Sequence, residues 1–310
     1  MGDELSTAIA VIAATLRAGT PLVFAAIGEL VAERAGVLNL GIEGMMLIGA
    51  VVGFMVAAST GLTPLGFVAA AVAGMGAAAI YGALALNLMT NQVATGLALA
   101  IFGAGLAAFL GQSWVGIPLP GMALPFPETL RSIPVAGPIL FGHDWLVYLS
   151  LLTVAGVAFF LHRTRAGLIL RAVGENQESA HALGYPVLRI RWLATLFGGA
   201  MAGIGGGYLS LIYTPQWAEN MTAGRGWIAL ALVVFATWRP WRVLLGAYVF
   251  GGVTILGLQI QAAGIAINSN LVAMTPYLAT IIVLVLISRD ATRIRLHTPA
   301  SLARPFHPEA

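Results

Sequence analysis

The chain has 310 residues, 59% of them hydrophobic and 9% charged, against about 25% charged in an ordinary soluble domain, so it is built to sit in lipid. It contains no cysteine, which excludes disulfides and thiolate metal sites. All fifteen Lys/Arg residues are arginine; without lysine there is no Walker A phosphate loop, and the chain is not a P-loop ATPase by itself.

The chain opens on the acidic Met1-Gly2-Asp3-Glu4, which reads against a cleavable signal peptide with a basic start. Apolar segments approaching a hydrocarbon thickness then recur at 8–30, 45–58, 65–88, 93–110, 146–161, 192–212, 227–236, 243–260 and 276–287. They predict an all-α fold, a polytopic transmembrane helical bundle of about nine spans (eight to ten), forming one domain over 1–310. Arg17 interrupts the first segment. The one after Arg225 is short, as re-entrant or broken helices are when protein surrounds them.

Between the first two segments runs Gly36-Val-Leu-Asn39-Leu-Gly41-Ile-Glu43-Gly44, preceded by Glu29, Glu33 and Arg34. The glycines argue against a continuous helix here. A carboxylate at bilayer depth needs protein, water or a partner charge around it. The segment fits a broken helix beside a translocation path, with Asn39 and Glu43 lining it. It fits equally a loop pinned by Glu33–Arg34 and Glu43–arginine contacts.

Small residues recur at i, i+4, i+8 in Gly49, Gly53 and Ala57, in Gly103, Ala107 and Gly111, and in Gly199, Gly203 and Gly207. Such faces let helix backbones approach closely. The long loop 112–144 carries Pro118, Pro120, Pro125, Pro127, Pro134 and Pro138, which keep it from forming a long helix.

The most polar stretch is 163–191, with Arg163, Arg165, Arg171, Arg189 and Arg191. Within it a short helix is predicted over 176–183. Asn176 is a cap candidate, with Glu175 and Glu178 at the positive helix end. Gly184 ends the helix and Pro186 prevents its continuation. Two turns are too short to be stable alone, so the helix needs a neighbour.

Eleven arginines fall in 163–191, in Arg239 and Arg242, and in a tail over 289–310 holding Arg289, Arg293, Arg295 and Arg304. The positive-inside bias makes that side the cytosol, with the N-terminus outside and the C-terminus inside. The isoelectric point near 9.6 reads as membrane orientation, and no nucleic-acid partner is expected. His143, His162, His181, His297 and His307 do not pair at ligand spacing, so neither a metal site nor catalytic residues are predicted.

Three stretches carry a resemblance: Glu33–Ala50 (E-R-A-G-V-L-N-L-G-I-E-G-M-M-L-I-G-A), Arg171–Tyr185 (R-A-V-G-E-N-Q-E-S-A-H-A-L-G-Y) and Glu219–Ala231 (E-N-M-T-A-G-R-G-W-I-A-L-A). They resemble signatures of the membrane permease subunit of bacterial ABC importers, in the branched-chain amino acid/ribose permease family, nucleoside and simple-sugar branch. Glu178-Ser179-Ala180 with Gly184 is similar to the E-A-A-x-x-x-G core of the ABC-binding loop, Ser179 departing from the usual alanine. The resemblance implies a non-enzymatic transport subunit of a multi-pass bacterial inner-membrane system. It assigns Glu175, Asn176, Glu178, Ser179, Ala180, Ala182 and Gly184 to a coupling helix seated in a separate ABC ATPase. That partner would use the ATP, with no cofactor on this chain. A second related permease would complete the pore, and an extracytoplasmic substrate-binding lipoprotein would dock on loops such as 112–144 and 214–224. Nucleosides are the leading solute, with simple sugars second. A stand-alone secondary transporter or channel is the alternative class.

Overall fold

The computed structural model describes residues 2–262, 268–288 and 298–307; Arg289, Arg293 and Arg295, expected in the tail, lie outside the described residues. The described chain is helical: α1 (Gly2–Arg34), α2 (Ile42–Thr60), α3 (Thr63–Gly82), α4 (Gln92–Gly111), α5 (Glu128–Arg131), α6 (Trp145–Arg163), α7 (Arg165–Glu175), α8 (Gln177–Ala182), α9 (Val187–Tyr208), α10 (Arg225–Phe235), α11 (Pro240–Ala262) and α12 (Ser269–Ser288). Extended pairing among the described residues is confined to two isolated bridges, Val115 with Trp217 and Pro118 with Gln216.

Each expected apolar segment falls on a helix. Among the described residues, seven helices are long and apolar enough to cross a membrane: α1, α2, α3 with its continuation to Asn87, α4, α6, α9 with its continuation to Tyr213, and α11. The seventh expected segment corresponds to α10, with 11 residues, roughly 16 Å at 1.5 Å per residue. That is about half a hydrocarbon core of ~30 Å, so α10 is not a crossing on its own. It is short because its N-terminus begins inside the bundle, against the first turn of α2.

The long helix α9 packs on α1, α2 and α3 at the centre of the bundle, and the small-residue faces are what allow it. A β-carbon built on Gly49 would stand 2.5 Å from the Gly203 Cα, so α2 and α9 touch backbone to backbone there. Gly199 and Gly74 do the same between α9 and α3. Around these contacts Phe24, Ile27, Met45, Met46 and Phe54 are fully buried.

At the end of the bundle away from 163–191, the loop 112–144 is not free. Leu119 donates its N–H to the Pro215 carbonyl at 2.8 Å, and Trp217 is buried beside Gly111. Asp144 caps α6 by accepting from the Leu146 and Val147 amides, and its other oxygen accepts from the Tyr208 hydroxyl at 2.9 Å.

Candidate functional site

Two buried polar clusters organise the functional end of the molecule. The first forms where α1 stops. Gly36, at a φ of +86°, turns the chain back into the bundle in a left-handed conformation that glycine tolerates. The Asn39 amide then donates to Glu29 Oε1 at 2.9 Å, and the Asn39 side-chain oxygen accepts from the Gly41 N–H at 2.9 Å. Leu38 is held on both sides, its N–H donating to Gln92 Oε1 and its carbonyl accepting from the Tyr81 hydroxyl. Below it, Glu33 accepts from the Trp238 indole N–H.

Glu43 lies in the first turn of α2. Facing it, the segment 214–224 folds inward, and Gly224, at a φ of +79°, starts α10. The first amides of a helix have no partner within it. Glu43 supplies one: Oε1 accepts from Thr222 Oγ1 at 2.6 Å and from the Gly224 N–H at 2.8 Å, and Oε2 accepts from the Gly226 N–H at 2.6 Å. A carboxylate at a helix N-terminus also meets the positive end of its dipole. The approach is close enough that a β-carbon on Gly226 would stand 2.6 Å from the Glu43 Cα and amide nitrogen. The stretches 33–50 and 219–231 are thus two sides of one joint.

The helix is broken as expected. The hydrogen-bond partners of Glu33 and Glu43 in the joint are an indole, a hydroxyl and backbone amides, and Arg34 and Arg225 lie close enough to act on them through charge. Asn39 and Glu43 are both buried, and both Glu43 oxygens are already engaged. The charged residue of the 219–231 side that borders open space is Arg225. It lines a cavity of about 420 Å³ with Leu22, Thr254, Gln261 and Tyr277, and another of about 250 Å³ with Tyr213 and Gln216. Its guanidinium donates to the Met221 and Thr222 carbonyls and lies over the Tyr213 ring.

The second cluster is built on α8. Its cap is as predicted: Asn176 Oδ1 accepts from the Ser179 N–H at 2.9 Å, and Gly184 takes a φ of +84° where the helix ends. Glu175, Asn176, Glu178, Ser179, Ala182 and Gly184 are exposed, and Leu183 is 77% exposed at the tip. Ala180 is the exception. It is turned inward and packs with Val173 of α7, Val187 of α9 and Phe306 of the chain's own tail.

That tail, 298–307, is stitched underneath. The Ser301 N–H donates to the Gly174 carbonyl at 2.8 Å, and the Ala303 N–H to the Gly36 carbonyl at 3.2 Å. Gln177 Nε2 donates to the Pro305 carbonyl, and the Phe306 ring lies 5.3 Å from the His181 ring. Arg191, 1% exposed, joins the clusters: Nε donates to the Ala35 carbonyl, Nη1 to that of Arg304 and Nη2 to that of Ser301. A buried charge needs such hydrogen bonds to be tolerated.

Residues 11–287 match the family model described as the branched-chain amino acid transport system / permease component. The chain belongs to that family. Several of its relatives are ABC permeases. It is 41% identical to a putative glucose ABC transporter permease of Haloferax volcanii, over 98% of this chain and 99% of that one. It is 32% identical to a nucleoside ABC transporter permease of Lactococcus lactis, over 92% and 94%, and 30% identical to a guanosine ABC transporter permease of Bacillus subtilis, over 88% and 90%. The permease is accordingly a multi-pass membrane protein of ABC transport.

Sequence reasoning did not single out Arg191, Thr222, Gly226, Trp238, Ser301 or Phe306. Thr222 and Gly226 were within reach, because both fall inside the 219–231 signature. For the others the sequence carries no local mark: Arg191 is one more arginine at the edge of an apolar segment.

Proposed function

We propose that this permease is the membrane-spanning subunit of an ATP-driven importer for a small solute bearing a sugar ring, either a simple sugar or a nucleoside. The observation that carries the coupling half of this reading is α8. It is capped, exposed on its outer face, and fastened on its inner face to the tail and, through Arg191, to the carbonyl of Ala35 just before the broken segment. Movement imposed on α8 by a separate ATPase would therefore be delivered to the Glu43 joint. The exposed residues Glu175, Asn176, Glu178, Ser179, Ala182 and Gly184 are the contact surface for that ATPase, with Leu183 at the tip, and the arginine-rich end lies in the cytosol. A second permease subunit completes the pore. A substrate-binding protein docks outside on the paired loops 112–144 and 214–224, with Trp217 and Thr222 of the latter reserved for internal packing. The glucose, nucleoside and guanosine permeases named above support a sugar ring as the shared recognition element, and the 41% relative brings simple sugars level with nucleosides.

The test is uptake of labelled glucose, ribose, uridine and guanosine into proteoliposomes holding the complete complex. ATP-dependent accumulation of one of these, lost when the ATPase is inactivated, is the expected result. Uptake driven by an ion gradient without any ATPase would overturn the reading in favour of a secondary transporter.

A further inference from the structure

A second surface feature is independent of the solute. At the arginine-rich end, α6, α7 and α9 diverge and leave a groove of about 510 Å³ between them, floored by Val31 of α1. That volume lies in the range of ligand pockets. Its walls are almost wholly apolar: Gly156, Val157 and Phe160 from α6, Leu170 from α7, Leu193 and Phe197 from α9. Leu193 is 69% exposed, so the groove opens sideways, where a membrane helix meets lipid.

The rim has the opposite character. Arg163 follows Phe160 by three residues on α6, Arg165 adjoins Ala166 at the start of α7, and Arg189 precedes Leu193 by four on α9. Spacings of three and four put side chains on one helix face, so Arg163 and Arg189 stand over groove-lining residues. All three are exposed, and their side chains make no hydrogen bond or ion pair with the described residues. Basic pockets between membrane helices attract anionic head groups, and long arginine stems reach the interface while their charge stays at head-group level.

We propose that this groove is a site for an anionic phospholipid, one acyl chain lying along Gly156, Phe160 and Phe197 and the head-group phosphate held by Arg163, Arg165 and Arg189. The lipid fills the space between α6 and α9 and steadies α7, the helix that carries α8.

Gly156 makes the site testable, because a β-carbon there meets nothing within 4 Å and a larger side chain enters the groove without colliding with the fold. The full-length protein is purified in detergent, loaded with dioleoyl phosphatidylglycerol or dioleoyl phosphatidylcholine, and retained lipid is counted by native mass spectrometry. The wild type is expected to keep phosphatidylglycerol at least fivefold better than phosphatidylcholine. Gly156→Leu should cut phosphatidylglycerol retention at least fivefold. Arg163→Gln/Arg165→Gln/Arg189→Gln should bring the two lipids level. Gly76→Leu, at another open helix surface, should behave as the wild type. Equal retention of both lipids by the wild type, or an unchanged Gly156→Leu, overturns the proposal. Should Gly156→Leu lose its monodisperse gel-filtration peak, the arginine variant decides alone, and persistence of the preference there overturns it. A photo-crosslinker at 156 that captures a protein subunit instead of lipid in the assembled complex also overturns it.

Discussion

The Glu43 joint and the Arg191 knot solve one problem with opposite charges. Each places an acidic or basic side chain inside the bundle and engages all of its outer atoms: three donors, two of them helix-terminal amides, for Glu43, and three carbonyls for Arg191. They differ in what they join. Glu43 ties α2 to α10, two elements of the bundle, through contacts so close that only glycine fits at 226. Arg191 ties the bundle to a tail that passes beneath α8. The first is a rigid hinge point, the second a strap. A residue that fixes a backbone contact should fail differently from one that fastens a movable segment.

Glu43→Ala should have the largest effect. It leaves the Thr222 hydroxyl and the Gly224 and Gly226 amides without their acceptor, and an unsatisfied buried group costs about 1–3 kcal/mol. We expect loss of uptake and a clearly lower melting temperature of the purified protein, with Glu43→Gln retaining part of the stability because one acceptor oxygen survives. A melting temperature unchanged in Glu43→Ala would break the joint side of the comparison. Gly226→Ala comes next: the added methyl collides with the Glu43 backbone, and overpacking costs about 1–3 kcal/mol. Its signature is lost uptake with α8 still protected from protease.

Arg191→Met should show the reverse pattern. The bundle keeps its packing, but the carbonyls of Ala35, Ser301 and Arg304 lose their donor, so limited proteolysis should cut at 298–307 well before the spans unfold. We expect uptake to fall several-fold while ATP hydrolysis by the assembled complex persists, which is uncoupling. If tail and spans are cut together, the strap and the bundle are one unit and the distinction fails. Phe306→Ala is a milder form of the same lesion. Removing a buried ring costs about 3–5 kcal/mol in a full core and less at this edge, so faster tail cleavage with uptake reduced about twofold is expected.

The smallest effect concerns pH. His143, in the loop before α6, is held below the ordinary imidazole value chiefly by burial, which outweighs its hydrogen bond to the Ile139 carbonyl and the nearby Asp144. Because the folded form takes up the proton later than the unfolded one, stability should be flat above about pH 6.5 and decline as pH falls below it. His143→Gln should remove that decline in a melting-temperature series, and an unchanged slope would place its origin elsewhere.

How far the sequence reached follows the same division. The joint was half visible: the glycines of 36–44 and the carboxylate at 43 announced a broken helix, but the facing amides come from 224 and 226, more than 180 positions away by chain. The α8 punctuation was readable because cap, glycine and proline act locally. Arg191 was not, since its acceptors are carbonyls that every residue possesses, 110 to 156 positions distant. The same reason applies to Ala180, whose buried neighbours include Phe306 as well as the nearby Val173 and Val187. Span ends also moved: α1 runs from Gly2 to Arg34 where the apolar window suggested 8–30, and its residues 5–8 are exposed, so the helix continues past the apolar stretch without a protein neighbour there.

The central claim is that α8 meets an ATPase with one face and the chain's own tail with the other. Since the native chain lacks cysteine, single cysteines can test this in the assembled importer. Ser179→Cys and Ala182→Cys should cross-link to the ATPase subunit, with yield changing on ATP binding, whereas Ala180→Cys should stay unreactive until the tail is displaced by Arg191→Met. Equal cross-linking from 179 and 180, or none from 179 and 182 in a complex that still transports, would contradict it.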